Sequence, residues 1–299
     1  MIVAAALCPA PPLLAGELTG QADILPELRH ACAVAVARLV AAAPDVIAVV
    51  GPADLTATWD PAGHLDLAAY APALARPATA AGRAAASGAA PSGTAPSGAA
   101  PSGTVPGRAV PGRAASGRAA SAAALGRPAA ALGSVGSDNS KTPEPADEPP
   151  VLPLALGIGA LLLDKAGYDG PRAMWSVAGS ASPAECARLG QDIVLPAERV
   201  ALLVMGDGSA RRSESAPGYL DQRAEPFDAE FERAVRDGDM AALAALDPVL
   251  AHGLMADGRP AWQVLAGALG AGGDGAPRTE ILYSAAPFGV GYLVAAVLP

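Results

Sequence analysis

Two kinds of apolar pattern alternate along the chain. Short continuous apolar runs predict buried strands, and they occur at residues 2–7, 45–51, 173–177, 199–206, 279–283 and 290–297. Longer segments predict helices, and they occur at residues 25–43, 154–165, 182 onward, 226–238, 239–246 and 260–269. Because helices and strands alternate and the strands lack polar positions, we predict an α/β fold. Its central, mostly buried sheet is covered by helices on both faces, as a three-layer sandwich.

The segment from 76 to 150 breaks this pattern. Prolines recur every five residues from Pro91 to Pro111 among Ala, Gly and Ser, and large apolar residues are almost absent. Such a composition buries too little apolar surface to offset the entropy of ordering. We therefore predict a disordered insertion at 76–150 within one domain formed by 1–75 and 151–299. Its arginines leave a second interpretation open, a tether for an anionic partner, but a tolerated surface-loop insertion is favoured.

The net charge and the lack of targeting signals limit which partners and which cellular compartment the sequence predicts. The chain has 20 basic and 29 acidic residues, a net charge of −9, which argues against nucleic-acid binding. No Lys or Arg precedes Arg29, so the basic region of a secretory signal is missing. The apolar run from Val151 is interrupted by Pro153 and ends at Asp164, too short to cross a bilayer. With three scattered cysteines, these features predict a cytoplasmic chain with no membrane partner.

Candidate chemistry lies in the loops that follow the strands, since ligands of open α/β sheets bind at the carboxyl ends of the strands. The loop 206–212 reads Gly-Asp-Gly-Ser-Ala-Arg-Arg, and its glycines allow a close backbone approach to a ligand. A glycine-rich turn with a solvated basic edge is the plainer interpretation, because no G-x-G-x-x-G or Walker pattern follows. The candidate catalytic residues are Asp207, Ser209, Arg211 and His64.

Several long stretches resemble the LigB-like superfamily, the class III extradiol ring-cleavage dioxygenases and their Memo-like relatives. They are MGDGSARRSESAPGYLDQRAEPFDAEFERAVRDGDMAALAALDP, GRPAWQVLAGALG and PFGVGYLVA, with CPAPPLL and LPLALGIGALLL nearer the start. The resemblance covers essentially all residues outside 76–150. It implies an α/β sandwich and, in active members, Fe(II) held by two histidines and a glutamate, with a further histidine for acid/base catalysis.

This chain departs from that pattern at the positions of the expected metal ligands. The positions where the resemblance places histidines fall near Ala10, near Pro52 or Ala53, and at Ala210. The expected acidic ligand falls near Ala256, with Asp257 beside it.

The chain has only three histidines, which are His30, His64 and His252. His30 and His252 fall in helical stretches, so His64 is the one histidine predicted in a loop. A site with two histidines and one carboxylate needs imidazoles presented together. A weak hard-cation site of carboxylates stays open, and the metal candidates are His64, Asp54, Asp207 and Asp257.

Cys8 ends the first predicted strand and could serve as a nucleophile or soft ligand. No base or orienting partner is evident in the sequence, so a small buried cysteine is the favoured interpretation.

Three functions follow, in order of preference. The first is a LigB-like protein with lost or altered Fe(II) chemistry that binds a small molecule or a protein, with no cofactor. The second is an active extradiol dioxygenase, an oxidoreductase with Fe(II) that opens a catechol-like ring. The third is a metal-free enzyme in which Asp207 is the acid/base and Arg211 or Arg212 binds an anionic substrate. Fold alone does not choose among them.

Overall fold

The structure, a computed structural model, describes residues 1–19, 24–68, 70, 150–194, 197–270 and 276–299. Apart from residue 150, the segment 76–150 for which disorder is predicted lies outside the described residues. The described residues before and after it belong to one compact unit and supply neighbouring strands of the same sheet.

The described strands form a seven-stranded mixed sheet and a small two-stranded sheet. They are β1 (Ile2–Cys8), β2 (Val46–Ala53), β3 (Ala57–Trp59), β4 (His64–Leu65), β5 (Val151–Leu152), β6 (Arg172–Ala178), β7 (Val200–Met205), β8 (Arg278–Ala285) and β9 (Tyr292–Leu298). The large sheet has the order β3-β6-β2-β7-β1-β9-β8. Its four central strands, β6, β2, β7 and β1, run parallel, whereas β3, β9 and β8 are antiparallel to their neighbours. β4 and β5 pair in parallel apart from it.

The described helices connect and cover these strands. They are α1 (Gly16–Thr19), α2 (Pro26–Ala41), α3 (Leu154–Lys165), α4 (Pro183–Val194), α5 (Ala224–Arg236), α6 (Met240–Ala244), α7 (Pro248–Gly253) and α8 (Arg259–Gly270), with a 3₁₀ turn at Pro12–Leu14. α4 begins as the sequence predicts, since Glu185 N–H donates to Ser182 Oγ and Ser182 N–H donates to Glu185 Oε2. No helix in the described part of the chain combines the length and apolarity that a membrane span requires.

Two apolar cores lie on opposite faces of the sheet. Along β2, Val50 faces the core built with α4 to α8, while Val49 faces the core built with α2 and α3. β7 alternates in the same way, because successive side chains of a strand point to opposite faces. The predicted α/β architecture, a central sheet covered by helices on both faces, is therefore confirmed.

Some elements escape the sequence pattern. β3, β4 and β5 span two or three residues each, too short to show a period, and they depend on pairing with distant segments. His64, predicted in a loop, lies in β4, and this is a correction: its N–H donates to Pro150 O, and the strand pairs with β5. β8 lies at the sheet edge with several exposed residues, so it is not the fully buried run that the pattern predicts.

The parallel strands end at one edge of the sheet, which we call the carboxyl edge. It comprises the loops after β1, β2, β6 and β7, the segment 254–258 before α8, and the turn 286–291 between β8 and β9. That turn belongs here because β9 runs antiparallel to β1 and so begins where β1 ends.

Candidate functional site

The loop 206–212 is held against its neighbours at the carboxyl edge by backbone hydrogen bonds. Gly206 N–H donates to Cys8 O at 3.0 Å, and Gly258 N–H donates to Asp207 O at 3.0 Å. A Cβ atom at Gly206 would lie 2.3 Å from the Cα of Gly258, so only glycine permits this approach. The loop is thereby fixed between the end of β1 and the segment before α8.

Asp207 and Asp257 meet within this arrangement. The Oδ1 atom of Asp207 accepts a hydrogen bond from Ala10 N–H at 2.7 Å. Asp257 Oδ1 accepts one from Asp207 N–H at 3.1 Å. Two carboxyl groups from different parts of the chain thus share one end of the sheet.

Both carboxyl groups resist ionisation. Burial, and next the negative charge of Asp257, raise the pKa of Asp207 to about 8, although the hydrogen bond from Ala10 lowers it. Burial raises the pKa of Asp257 to about 6. Asp207 is half-buried, whereas Asp257 as a whole residue is exposed. Around neutral pH the carboxyl group of Asp207 is therefore largely protonated.

Tyr292 lies against the pair from the start of β9. Only 6% of its surface is exposed, and its pKa is raised by burial and then by the charge of Asp207. Its phenol is therefore protonated around neutral pH.

Ser209 is buried in a hydrogen-bond network that joins the loop to α5. Its N–H and Oγ donate to the two carboxylate oxygens of Asp228, at 2.8 and 2.7 Å. Arg212 also donates to Asp228 Oδ2, at 3.1 Å, and forms an ion pair with Glu225 at 3.5 Å. These contacts account for Ser209 and Arg212 as residues that hold the loop in place.

Arg211 differs from Arg212. Its Nε atom is buried with no hydrogen-bond partner among the residues that the structure describes. Asp221, the carboxylate whose pKa Arg211 helps to lower, already accepts hydrogen bonds from Arg223 on both oxygens. The loop therefore presents Arg212, which is hydrogen-bonded to a carboxylate, and Arg211, which lies near Asp221 without a hydrogen bond to it.

The remaining candidates do not join Asp207 in a metal site. Asp54 is exposed after β2, and His64 is half-buried on β4. Within the described ranges, no three His, Cys, Asp or Glu side chains lie together in a group that could hold a metal ion. Two of the four metal candidates, Asp207 and Asp257, are in contact through the Asp207 N–H.

The Fe(II) centre that the resemblance implies does not fit these donors. His30 is exposed on α2, where it lines a groove with Leu282 and Tyr283, and His252 is exposed on α7. With His64 on β4, the three imidazoles lie on separate elements. A centre with two histidines and one carboxylate needs them on one face of one cavity.

Cys8 is buried at the end of β1, as the favoured interpretation predicts. The neighbouring Cys32 thiol and burial together raise the pKa of Cys8 well above its usual value. A thiol of this kind stays protonated and is a poor nucleophile. Cys8, Cys32 and Cys186 are all buried and free.

Sequence reasoning did not identify Tyr292, Asp228 or the Ala10 N–H as parts of this site. Asp228 and Tyr292 lie in stretches that carry the family resemblance, and this was the available signal. The Ala10 N–H is a backbone group and leaves no mark in the sequence.

Comparison with known proteins does not assign this chain to a family. No family model matches the chain, and no curated protein matches it significantly. A match among solved structures is the uncharacterized protein JW3007 from Escherichia coli K12, at 16% identity and a TM-score of 0.33. It covers 46% of this chain and 60% of that one, so the chain spans about three-fifths of the length of that protein. A likeness at this TM-score supports no conclusion about fold or function.

Proposed function

We propose that this protein is a LigB-like α/β protein that has lost or altered Fe(II) chemistry and that binds a small molecule at the carboxyl edge. The observation that carries the proposal is the meeting of Asp207 and Asp257 beside the Ala10 N–H, at the end of the sheet where α/β proteins bind ligands. Holding two carboxyl groups together at a partly buried position costs free energy, and such pairs are concentrated at functional sites.

Residue identities support the loss of iron chemistry. The resemblance places one histidine near Ala10 and another at Ala210, and both alanines are buried at the carboxyl edge. A methyl group offers no lone pair to a metal. The edge therefore keeps the carboxyl component of the family site without its imidazoles.

We propose the cytoplasm as the compartment of this protein. All three cysteines are free thiols, and a reducing cytoplasm keeps them so.

The test combines iron loading with ligand binding. Purified protein is loaded anaerobically with Fe(II), desalted and analysed for metal, and then assayed with catechol for the yellow ring-opened product. We expect well below one iron per chain and no product. In the metal-free protein we expect catechol to raise the melting temperature, because a ligand that binds the folded state stabilises it.

A matched pair of variants locates the binding. Asp207→Asn removes the ionisable group but keeps an oxygen for the Ala10 N–H, and it should abolish the stabilisation by catechol. Asp192→Asn changes an exposed carboxylate on α4 and should leave it intact. Stoichiometric iron with catechol turnover would establish an active dioxygenase instead. Absence of any stabilisation by catechol would reject small-molecule binding of this class.

A metal-free enzyme is the second candidate, and one observation favours it. A carboxyl group with its pKa near 8 is poised to give and take protons around neutral pH, as a general acid/base must. Incubation of catechol with protein and EDTA, followed by mass spectrometry, separates the two candidates. Conversion that Asp207→Asn abolishes would favour the enzyme, whereas unchanged catechol favours binding alone.

A further inference from the structure

The arginines around the carboxyl edge differ in whether the protein itself supplies their partners. Arg212 contacts Asp228 and Glu225, and Arg223 binds both oxygens of Asp221. Buried Arg259 donates to the carbonyls of Gly179 and Ala181. Among the described residues of this edge, Arg211 is the arginine whose side chain donates no hydrogen bond to the protein, and its Nε atom is buried.

Both the aliphatic part of the Arg211 side chain and its backbone contact neighbouring residues. The Cγ atom of Arg211 and the Sδ atom of Met255 pack closely against Gly218. Each lies less than 3 Å from the position that a Cβ atom would occupy there. Arg211 O accepts a hydrogen bond from Asp221 N–H at 3.0 Å. The aliphatic part of the side chain is thus packed against its neighbours, which lowers the entropic cost of ordering Arg211 around a ligand.

Arg211 lies on the same run of chain as Asp207. The loop is bonded at two points to the segment before α8, because Gly258 N–H donates to Asp207 O and Ala210 N–H donates to Leu254 O, both at 3.0 Å. Asp207 is therefore next to Gly258, and Arg211 follows the residue bonded to Leu254. The carboxyl pair and Arg211 are therefore held on one continuous strip of backbone along the carboxyl edge.

An apolar rim borders the same strip. Tyr219 is 75% exposed and Met255 is 46% exposed, and both have left-handed backbone angles, with φ of 58° and 57°. Exposed large apolar side chains at strained positions are costly to keep, and such features cluster where ligands bind. The rim offers a surface for an apolar or aromatic body beside the cation.

We propose that Arg211 is the anion-binding residue of the carboxyl edge and that the ligand carries an oxyanion, a carboxylate or a phosphate, on an apolar body. This inference rests on the small-molecule binding proposed above. A guanidinium with a buried, unpartnered N–H is completed by an oxyanion, which can accept two parallel hydrogen bonds from it. Arg212 cannot take this role without giving up Asp228.

Matched probes test the inference in the full-length protein. Benzoate and benzamide have nearly the same shape and differ in charge, and phenyl phosphate replaces the carboxylate with a phosphate. We expect benzoate, phenyl phosphate or both to bind at least about tenfold more tightly than benzamide in calorimetry, as a charge-assisted hydrogen bond predicts. Whichever anion binds more tightly identifies the oxyanion.

Variants then assign the effect to Arg211. Arg211→Gln should weaken binding of the preferred anion about 10- to 100-fold and leave benzamide unchanged, while Arg211→Lys should retain part of the preference. Arg233→Gln makes the same charge change at an exposed position on α5 and should have no effect. Melting curves of each variant confirm that it folds.

The outcomes separate this inference from the function on which it rests. Equal affinity for benzoate, phenyl phosphate and benzamide, or an anion preference that survives Arg211→Gln, would overturn the role of Arg211. If catechol still stabilises the protein through Asp207 in that case, the proposed function stands without it. If neither catechol nor any of these probes binds, both proposals fail.

Discussion

Asp207 shows how one residue couples the candidate site to stability. Its pKa is raised from an ordinary value of 3.8 to about 8, so the folded state binds the proton more tightly than the unfolded chain does. Between about pH 4 and pH 8 the folded protein therefore holds more protons than the unfolded one. The stability contributed by this group is full at low pH and is lost as the pH rises through this window.

The substitution Asp207→Asn tests this coupling. We expect wild-type stability to fall with rising pH across this window by up to about 1.4 kcal/mol per pH unit from this group, and the variant to lose most of that slope. Urea denaturation at pH 5, 6, 7 and 8 measures it. Asp192→Asn on α4 is the control and should keep the wild-type slope. A variant whose slope equals that of the wild type would show that Asp207 has an ordinary pKa.

The same residue shows the limit of sequence reasoning at this scale. The position of Asp207 after a buried strand makes it a candidate, and the structure places it at the carboxyl edge. Its partners Asp257 and Ala10 lie 50 and 197 residues away in the sequence. Ser209 is a candidate on the same grounds, yet its hydroxyl donates to Asp228. Composition and spacing do not reveal such pairings.

At the scale of elements, the crossing of α4 and α8 supports the segment that carries Asp257. The two helices pack closely because Gly190 and Gly267 present no side chain at the contact. A Cβ at Gly190 would lie 2.2 Å from the carbonyl oxygen of Val264, a backbone atom that cannot move aside. α8 begins two residues after Asp257, so this crossing fixes one side of the candidate site.

Gly190→Ala should therefore destabilise the protein by about 2 kcal/mol or more, since the helices must separate to admit the methyl group. Thermal and urea denaturation measure the loss. Gly253→Ala in α7, where nothing lies within 4 Å of the added carbon, should be neutral or slightly stabilising, because alanine favours a helix over glycine. Equal effects of the two substitutions would refute the close α4–α8 packing.

Elements were predictable where the local pattern was long enough. α3 has the predicted bounds, and the remaining long helices and the strands of the large sheet, β3 apart, lie within a few residues of theirs. A buried strand or an amphipathic helix repeats its apolar period several times, and the period identifies it. β4 and β5 have two residues each and no period to detect.

On the scale of the whole molecule, the segment 76–150 interrupts a sheet that both flanking parts build. β2 pairs with β6 and β7, so residues before and after the segment form adjacent central strands. β4 and β5 also pair across it. The folded unit thus needs both flanking parts, while the composition of the segment predicts that it contributes no core.

Deleting residues 78–148 tests that prediction. We expect a folded protein with an unchanged or slightly higher melting temperature, because a shorter connection costs less closure entropy. Far-ultraviolet circular dichroism and a thermal melt are sufficient, with the full-length protein as reference. A fall in melting temperature of more than about 10 °C, equivalent to several kcal/mol, would show that the segment stabilises the fold.

The sequence by itself determined the class of fold, the order of its main elements and the loop where candidate chemistry lies, because apolar periodicity reports local burial directly. Only the tertiary structure decided that Asp207 meets Asp257, that Arg212 is committed to Asp228 while Arg211 is not, and that the three histidines lie on separate elements. The physical reason is that ionisation and pairing depend on distances between groups far apart in the chain. Those distances exist only once the sheet has brought its strand ends together.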